Sequence, residues 1–486
     1  MHFRDFLKLR EDRGEIIRIK QEVDWNLEAA AIAALNYRNW AQKKVLRFES
    51  IKGYRGFTLV SGLFSNPLEK PWNLYAEIMG LGRDVSMDAY YEGVKAKLAH
   101  RVPPTVVTTG PCKENILKGK DANLFALPFP YLHEGDGGRY GTLQTWIGKD
   151  PDSSWVNYGN YRLEIHSRHK LGSFLTPGQH HADLFYQKYE ARGKPMPCCI
   201  AIGVDPAIMV ISTMPVPRGI SEVDLAGSFG EEPMELVRAE TNDLLVPAHA
   251  EIVLEGEMLP GERMDEGPFG EWHGFQHGPR MPMPVMRVHC ITHRDNPIIP
   301  FTPEGNIGTE SAEGLILNWG PTLEMGFAPL GLPIKRIWIP QLIQHGVIPM
   351  LIDPTYPAVV DDLFNAIRGA AHSGFMEKWP IFDDVEVGDL DSFLEALFLK
   401  THPTKFKLNK AEFGMPQERM FHTPEDKKKG LLTYCLCDAT WPATWGPDEI
   451  PQKPTLENSY PVELQRWAVE NWGKMGLPGQ PKVRGD

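Results

Sequence analysis

The spacing of apolar residues predicts a helix, a strand and a second helix at the start of the chain. Apolar residues among charges in the first ten positions predict the first helix, and residues 15–19 alternate as a strand does. Leu27, Ala31 and Leu35 recur every four residues, which predicts a helix that lays this stripe on a sheet. Residues 1–104 are therefore predicted to form a small α/β domain.

The pattern changes between residues 105 and 305 to short apolar runs broken by glycine, proline and aspartate. This punctuation is typical of an all-β region, and many of the 45 glycines and 42 prolines of the chain contribute to it. Residues 221–244 have a helical pattern. The central region therefore predicts a barrel or a sandwich. Its clearest predicted strands are residues 141–148, 199–204, 208–213, 250–254 and 285–291.

After residue 305 the chain returns to alternating helix and strand patterns. We predict strands at 334–339 and 347–352, a helix capped by Asp361 and Asp362, and another helix after Asp391. These elements predict a second α/β domain over residues 306–449. Residues 450–486 hold one short helix, at 462–472, between proline-rich ends, and we expect an arm that packs on a neighbouring molecule.

The charge of the chain excludes several classes of partner. Lys plus Arg total 51 and Asp plus Glu total 63, a net charge of -12. No overall positive field attracts phosphates or anionic lipids, so we expect neither nucleic acid nor a membrane surface as partner. The charged start and the absence of a long apolar run predict no signal peptide and no membrane span. The six cysteines show no C-x-x-C spacing, which favours a reducing cytoplasm.

Two glutamates, Glu266 and Glu271, flank the sequence Gly-Pro-Phe-Gly. This interval predicts a tight turn rather than a helix, and such a turn can aim both carboxylates into one space. Repulsion between like charges would then raise the pKa of one carboxyl group and leave a neutral acid near neutral pH. An acidic surface turn fits the same spacing.

Two further polar segments interrupt the strand patterns of the central region. Asn157 and Arg162 lie on opposite faces of a regular strand, unless a bulge intervenes. An arginine here could clamp a carboxylate through two hydrogen bonds, and an edge strand with a surface arginine is the alternative. His180 with Glu222 and an asparagine would suit Mg²⁺ or Mn²⁺ better than zinc, although a histidine pair is also common as a structural element.

These segments, in this order, resemble the UbiD family of reversible decarboxylases, which use prenylated flavin mononucleotide (prenylated FMN). The resemblance runs along nearly the whole chain, and Glu-Gly-Pro-Phe-Gly-Glu at 266–271 is its most specific motif. Kinase, serine hydrolase and zinc protease motifs are absent. The matching segments are residues 9–16, 124–138, 157–162, 178–180, 214–222, 246–257, 266–271 and 438–440.

The resemblance implies a fold of mixed α/β and β type. It consists of an N-terminal α/β domain (1–104), a central flavin-reductase-like split β-barrel that holds the cofactor (105–305), a C-terminal α/β dimerisation domain (306–449) and the arm (450–486). It also implies a homodimer or a dimer-based higher oligomer, with a flavin prenyltransferase as cofactor supplier. The cofactor phosphate is expected to bind Mn²⁺ (or Mg²⁺), with K⁺ nearby.

The resemblance also assigns site residues, position by position. The catalytic residues are Arg162, Glu266 and Glu271, and the metal ligands are Asn157, His180 and Glu222. Thr176, Gln179 and Trp272 face the substrate, although Thr176 and Trp272 fit a barrel core as well. The cofactor-binding residues are Tyr158, Gly159, Asn160, Tyr161, Arg162, Gln179, His180, Thr213, Met214, Pro215 and Glu222.

The implied function is non-oxidative, reversible decarboxylation of an aromatic or heteroaromatic carboxylic acid through a covalent prenylated-flavin adduct. Glu271 is the expected proton donor, and Arg162 holds the carboxylate. Loss of CO₂ from an sp² carbon leaves charge in an orbital with no conjugated sink, which no side chain supplies, so a cofactor is required. The alternatives are decarboxylation of an acrylic or cinnamic-type acid, a conventional FMN-dependent oxidoreductase, and a noncatalytic assembly subunit.

Two positions depart from the family pattern. Trp441 follows Asp-Ala-Thr where many members have lysine, and residues 371–374 contain no lysine where many members place one near His372. The residue that anchors the cofactor phosphate is therefore left open.

Overall fold

The computed structural model describes residues 1–39, 43–65, 70–277, 280–306, 308–340, 346–369, 378–411, 422–452 and 454–479. The α-helices are α1 (Phe3–Asp12), α2 (Glu28–Arg38), α3 (Asn73–Ile78), α4 (Met87–Ala99), α5 (His180–Asp183), α6 (Pro206–Ile211), α7 (Glu222–Gly230), α8 (Glu310–Phe327), α9 (Val359–Gly369), α10 (Leu390–Leu399), α11 (Pro424–Lys429), α12 (Leu456–Ser459) and α13 (Val462–Asn471).

The strands form several sheets. They are β1 (Ile16–Ile19), β2 (Val45–Phe48), β3 (Thr58–Ser61), β4 (Thr105–Val107), β5 (Asn115–Lys118), β6 (Arg139–Gly141), β7 (Gln144–Lys149), β8 (Val156–Asn160), β9 (Leu163–Ile165), β10 (Lys170–Gly172), β11 (Met196–Ile202), β12 (Glu235–Arg238), β13 (Leu245–Pro247), β14 (Ile252–Glu266), β15 (Phe269–Gly270), β16 (Gln276–His277), β17 (Met281–His293), β18 (Ile298–Pro300), β19 (Ile334–Ile337), β20 (Met350–Ile352), β21 (Lys378–Phe382), β22 (Phe406–Ala411) and β23 (Leu432–Ala439).

The N-terminal sheet has the order β1-β2-β3-β18, so a strand from residue 298 onward completes it. The predicted helix α2 exists, but its predicted stripe is wrong. Leu27 precedes the helix, and Leu35 is 65% exposed. The helix instead buries a face of three alanines and Tyr37, and small side chains allow the helix backbone to approach its neighbours closely.

The central sheet is antiparallel throughout, with the order β6-β9-β10-β17-β14-β11-β7-β8 and β5 paired to β17. Four of the predicted strand regions are confirmed as β7, β11, β14 and β17. The predicted strand at 208–213 is wrong, because these residues lie in and just after α6. Every residue of α6 is buried, and an apolar run that is buried all round has no period to distinguish helix from strand.

The helix predicted over 221–244 is confirmed only in its first part. Helix α7 ends at Gly230, and Glu231 adopts a left-handed conformation with φ of 57°. The chain then forms β12 and β13, which pair with β4 in a three-stranded sheet. The end of α7 cannot be recognised in the sequence, because the spacing of apolar residues continues through the turn after Gly230.

The C-terminal sheet has the order β19-β20-β21-β23-β22, and α9 and α10 belong to the same region. Helix α9 begins at Val359, so Asp361 and Asp362 lie in its first turn and are not its caps. The cap of α10 is Asp389, whose side chain accepts a hydrogen bond from Asp391 N–H.

Three buried clusters of apolar residues stabilise the described chain. The first joins residues of the N-terminal and central regions to α10 and the C-terminal sheet, the second lies in the N-terminal and central regions, and the third packs α8 and α9 on the C-terminal sheet. Mixed α/β content around a large antiparallel sheet agrees with the predicted fold class. The domain boundaries and the split-barrel architecture stay predictions. None of the helices in the described part of the chain has the length and apolar character needed to cross a bilayer.

Candidate active site

The turn between Glu266 and Glu271 is fixed by its neighbours. Glu266 ends β14, a cis peptide bond joins Gly267 to Pro268, and β15 follows. The Gly270 N–H donates to Asp136 Oδ1 at 2.9 Å. A Cβ atom on Gly270 would lie 2.5 Å from the His133 ring, so a residue without a side chain is required here. These contacts fix the backbone of the turn that joins Glu266 to Glu271.

Arg162 joins the two glutamates. Its Nε and Nη2 donate to the two carboxylate oxygens of Glu266 at 2.8 and 2.6 Å, and its Nη1 donates to Glu271 Oε1. All three side chains are at most 8% exposed. The structure thus brings together the three residues expected to be catalytic. Both carboxylate oxygens of Glu266 bind the buried guanidinium of Arg162, and the carboxylate of Glu271 binds beside them. The surface-turn and surface-arginine alternatives are wrong.

The surroundings of Arg162 keep it charged and in place. Its guanidinium lies over the rings of Phe174 and Phe269, 4.7 and 4.9 Å from their centres. Burial alone lowers the pKa of Arg162, but the charges of Glu266 and Glu271 outweigh it and raise the pKa well above its ordinary value. The strand alternation that would separate Asn157 from Arg162 is interrupted, because β8 ends at Asn160 and β9 begins at Leu163.

Two residues that sequence reasoning missed support Glu266 from behind. The Tyr140 hydroxyl lies 3.1 Å from Glu266 Oε1 and 3.0 Å from Glu164 Oε2. Glu164 accepts a hydrogen bond from the Gly267 N–H at 2.8 Å, and burial raises the pKa of its carboxyl group. The sequence around Tyr140 and Glu164 shows no motif that links them to Glu266. They lie on β6 and β9, and only the fold brings these strands next to Glu266.

The expected metal ligands lie around the start of α7. Glu222 is its first residue, and its carboxylate accepts the N–H of Tyr158 at 2.7 Å. Burial raises the pKa of Glu222 to about 7. Asn157 is 1% exposed, and neither of its amide atoms has a hydrogen-bond partner within the described part of the chain. His180 begins α5 and packs its ring edge-on against Trp155.

These residues fit a hard cation. The buried amide oxygen of Asn157, which has no partner among the described residues, and the buried carboxylate of Glu222 are ligands that such a cation prefers. A group of three His, Cys, Asp or Glu side chains suited to a metal is not found among the described residues. His181, next to His180, is fully buried between Trp146 and Tyr161, and burial lowers its pKa to about 3. His181 therefore matches the structural interpretation of the histidine pair.

The expected cofactor segment follows Asn157 along β8. Tyr158 points into the core, where its hydroxyl donates to the Leu245 carbonyl at 2.9 Å, so only its backbone faces the sheet surface. A Cβ atom on Gly159 would lie 2.6 Å from the Tyr161 ring, so the ring packs directly against the backbone of this segment and leaves no room for a side chain at Gly159. Asn160 N–H donates to the Ser212 carbonyl at 3.0 Å, which joins β8 to the loop after α6.

That loop carries the next cofactor candidates. The Thr213 hydroxyl donates to the Val210 carbonyl at 2.8 Å, and Met214 and Pro215 follow directly. Gln179 Oε1 accepts the Thr176 N–H at 3.0 Å. The Thr176 hydroxyl oxygen is buried and has no hydrogen-bond partner among the residues that the structure describes, which leaves a polar atom available to a ligand.

Trp272 does not lie in the barrel core. It is half-buried and packs against the third apolar cluster, which belongs to α8 and the C-terminal sheet. The residue after Glu271 therefore connects the turn to the C-terminal region.

Trp441, the departure from the family pattern, has its own partners. Its main-chain N–H donates to Asp383 Oδ2 at 2.8 Å, and Lys400 Nζ lies 4.6 Å from its ring centre. The ammonium group of Lys400, directly after α10, therefore lies beside Trp441, where many family members have a lysine in the motif itself. The expected phosphate contact near His372 lies outside the described residues.

Comparison with protein families matches two models. The 3-octaprenyl-4-hydroxybenzoate carboxy-lyase N-terminal domain matches residues 7–90, and the Rift-related domain of the same enzyme matches residues 105–307. A pyrrole-2-carboxylic acid decarboxylase of Pseudomonas aeruginosa is 30% identical over 98% of both chains. The chain belongs to the UbiD family. This family membership confirms the resemblance seen in the sequence, and the expectation of a carboxy-lyase with it.

Solved UbiD-family structures share the fold of this chain. Vanillic acid decarboxylase of Sedimentibacter hydroxybenzoicus in its closed form is 27% identical, with a TM-score of 0.85, and the match covers 98% of this chain and 99% of that one. An evolved dimeric form of HmfF from Pelotomaculum thermopropionicum, in complex with prenylated FMN, is 26% identical, with a TM-score of 0.73 over 95% and 99% of the two chains. UbiD-family relatives thus include decarboxylases of aromatic acids and an enzyme with prenylated FMN.

Proposed function

We propose that this UbiD-family chain catalyses non-oxidative, reversible decarboxylation of an aromatic or heteroaromatic carboxylic acid with prenylated FMN as cofactor. The observation that carries the proposal is the buried Arg162 with Glu266 on one side and Glu271 on the other. Such a trio gives the site one fixed cation and one acid beside it. A conventional flavin oxidoreductase has no use for this arrangement.

Arg162 holds the substrate carboxylate. Its guanidinium has five N–H donors, and three of them bind Glu266 and Glu271. Two donors therefore remain for the substrate. A charged hydrogen bond of this kind contributes about 1.5–3 kcal/mol. Glu266 keeps the guanidinium in one orientation, because it occupies the Nε and Nη2 donors together.

Glu271 delivers the proton. It lies on the Nη1 side of Arg162, so a carboxylate bound to Arg162 lies next to the acid. When CO₂ leaves, the ring carbon takes the proton of Glu271, and Arg162 stabilises the carboxylate that results. Proton transfer by a placed acid contributes about 10²–10⁴ in rate. The low exposure of the trio excludes water, which strengthens these interactions.

The remaining acceleration belongs to the cofactor. When bound, prenylated FMN supplies the electron sink that no side chain offers. Asn157, His180 and Glu222 would hold Mn²⁺ or Mg²⁺ beside the cofactor phosphate, with K⁺ nearby. The segment Tyr158 to Tyr161 with Thr213, Met214 and Pro215 would line the flavin, and Thr176, Gln179 and Trp272 would face the substrate. The buried amide of Asn157, which has no hydrogen-bond partner among the described residues, supports the placement of the metal ion.

The proposal extends to partners and location. A flavin prenyltransferase would supply the cofactor. A homodimer, or a dimer-based oligomer, is supported by the exposed apolar side chains of α10 and the edge strand β22. All six cysteines are free thiols, which suits the cytoplasm.

The test is release of CO₂ by the protein loaded with prenylated FMN after co-expression with a flavin prenyltransferase. Phenolic, heteroaromatic and acrylic acids form the substrate panel, and the mass and absorption spectrum of the bound flavin are recorded. We expect CO₂ from phenolic or heteroaromatic acids, and no turnover with plain FMN. CO₂ from acrylic acids alone would favour the cinnamic-type alternative, and turnover of plain FMN with NADH would favour an oxidoreductase.

A further inference from the structure

Glu304 is a second buried acid beside the proton donor, and the mechanism above does not use it. It lies between β18 and α8 and is 5% exposed. The Ser311 hydroxyl donates to Glu304 Oε1 at 2.5 Å, and the Thr309 hydroxyl donates to Oε2 at 3.4 Å. Both hydroxyls come from the start of α8.

The groups that face this carboxyl are acids and hydroxyls. The charges that act on it are those of Glu271, which follows β15, and of Glu310, in the first turn of α8. His133 approaches only the main chain, since its Nε2 lies 3.0 Å from the Glu304 carbonyl oxygen. The neighbouring cations are committed elsewhere, because Arg162 binds Glu271 and His133 pairs with Asp136. Ion pairs to the Glu304 carboxyl are absent among the described residues.

This environment sets the protonation of Glu304. Burial raises the pKa of its carboxyl group to about 8, and the charges of Glu271 and Glu310 act in the same direction. The hydroxyl groups of Ser311 and Thr309 act the opposite way. The carboxyl group is therefore neutral near neutral pH, although it lies next to an acid that must ionise during turnover.

Hydrogen bonds fix Glu304 to the segment that carries Glu271. Asp136 accepts the Gly270 N–H at 2.9 Å through one oxygen and contacts His133 Nδ1 at 3.1 Å through the other. His133 then reaches the Glu304 carbonyl. On the other side, a Cβ atom on Gly305 would lie 3.6 Å from the Glu271 carbonyl oxygen. The main-chain segments that carry the two acids are therefore joined through His133 and Asp136 and contact each other at Gly305.

We propose that Glu304 is a positioning residue of the decarboxylation site, which as a neutral carboxylic acid allows Glu271 to give up its proton. This inference rests on the proposed function. In each turnover the substrate carboxylate leaves as CO₂, the carbon takes the proton of Glu271, and a proton from water restores the acid. The Glu271 carboxylate formed in between is stabilised by Arg162. A negative charge on Glu304 would destabilise that carboxylate and slow the proton transfer.

Glu304→Gln is the main variant, because an amide has the shape of the neutral acid and cannot ionise. We expect its kcat near neutral pH to stay within about threefold of wild type, since the neutral form is retained. We expect the kcat of wild type to fall about tenfold as pH rises through about 8, because Glu304 then ionises, and we expect no such fall for the variant. Ser311→Ala removes a hydrogen bond that favours the charged form of Glu304. We therefore expect the decline of kcat in this variant to move to higher pH.

The protonation itself is tested in the protein without cofactor. The folded chain keeps the Glu304 proton up to about pH 8, whereas an unfolded chain loses it near the ordinary value of 4.5. The folded state binds more protons between these two values, so stability falls as pH rises through this window. The melting temperature of Glu304→Gln relative to wild type should therefore increase from pH 5 to pH 8. If the difference in melting temperature between Glu304→Gln and wild type stays constant over this pH range, Glu304 is not a neutral acid in the folded protein.

The outcomes separate this inference from the proposed function. If wild type releases CO₂ and the two pH profiles coincide, Glu304 has only a structural role. If Glu304→Gln is folded and inactive at neutral pH, the proton of Glu304 is itself transferred, and the positioning role is wrong. If loaded wild type releases no CO₂ from any acid, the proposed function fails first.

Discussion

Arg162 carries the positive charge around which the residues of the site are arranged. Glu266 occupies its Nε and Nη2 donors, Glu271 lies at Nη1, and two aromatic rings cover its faces. The planar fork of an arginine matches a carboxylate at two points, which an ammonium group does not. The shape of the side chain therefore matters here as much as its charge.

Arg162→Lys keeps the charge and removes the fork. We expect kcat/KM for CO₂ release to fall about 10- to 100-fold, because a charged hydrogen bond to the substrate and the alignment with Glu271 are both lost. Arg192→Lys is the matched control, since Arg192 forms an exposed pair with Asp152. Equal activity of wild type and Arg162→Lys would contradict the proposed role of the fork.

Gly270→Ala tests the packing of the turn. The added Cβ would lie 2.5 Å from the His133 ring, so the ring or the turn must shift. We expect a loss of about 1–3 kcal/mol in the free energy of unfolding, measured with denaturant. Gly326→Ala, in α8 with no neighbouring atom within 4 Å, should change stability by less, or increase it. Similar losses in both variants would show that the turn is not tightly packed.

At the scale of elements, the start of α8 is anchored by buried polar contacts to the N-terminal region. Lys43 Nζ lies 2.8 Å from Glu313 Oε1, and the two side chains are 2% and 1% exposed. The Tyr37 hydroxyl bonds Glu310 one turn earlier. Since Glu304, Thr309 and Ser311 belong to the same stretch, these contacts also fix the position of Glu304.

Lys43→Met breaks the buried pair on one side. We expect a loss of about 3–5 kcal/mol in the free energy of unfolding, because Glu313 is left buried without its partner. Glu313→Gln in the same chain removes the stranded charge and should restore part of that stability. Additive losses in the double variant would show that the two side chains do not interact.

Which elements the sequence predicts depends on how they are buried. The strands β7, β11, β14 and β17 alternate or are bounded by turn residues, so their pattern survives in the sequence. Helix α6 is buried on all sides and therefore leaves no periodic signal. The predicted stripe of α2 is wrong because alanines, which are only weakly apolar, form most of the buried face of the helix.

The same distinction applies to the site. Arg162, Glu266 and Glu271 could be predicted because each of them lies in a sequence motif that resembles the UbiD family. Tyr140, Glu164 and Glu304 reach the site from separate strands and a loop, and their role depends on burial and on partners distant in sequence. His133 and Asp136 lie in residues 124–138, one of the segments that resemble the family. Only the fold shows that they contact Gly270 and the Glu304 carbonyl.

At the scale of the whole molecule, the described C-terminal region exposes much apolar surface. Phe398 and Leu399 of α10 are 75% and 77% exposed, and Leu408 on the edge strand β22 is 71% exposed. Apolar side chains grouped in this way are typical of an interaction surface. The predicted homodimer would cover them.

Phe398→Asp combined with Leu408→Asp tests that assembly. We expect wild type to have at least twice the mass of one chain in light scattering, and the double variant to shift to the mass of one chain, because buried aspartates oppose association. Leu35→Asp is the control, since Leu35 is similarly exposed on α2 and should leave the mass unchanged. A double variant with the wild-type mass would place the interface elsewhere.

We propose that the chain breaks the bond to CO₂ and that Glu271 then supplies the proton. These two steps are separated by incubating the loaded enzyme with an accepted acid and isotopically labelled bicarbonate, and following both labelled acid and decarboxylated product. Wild type should form both, whereas Glu271→Gln should form labelled acid with little product, because exchange of CO₂ needs no proton. Product formation by Glu271→Gln at the wild-type rate would contradict the account.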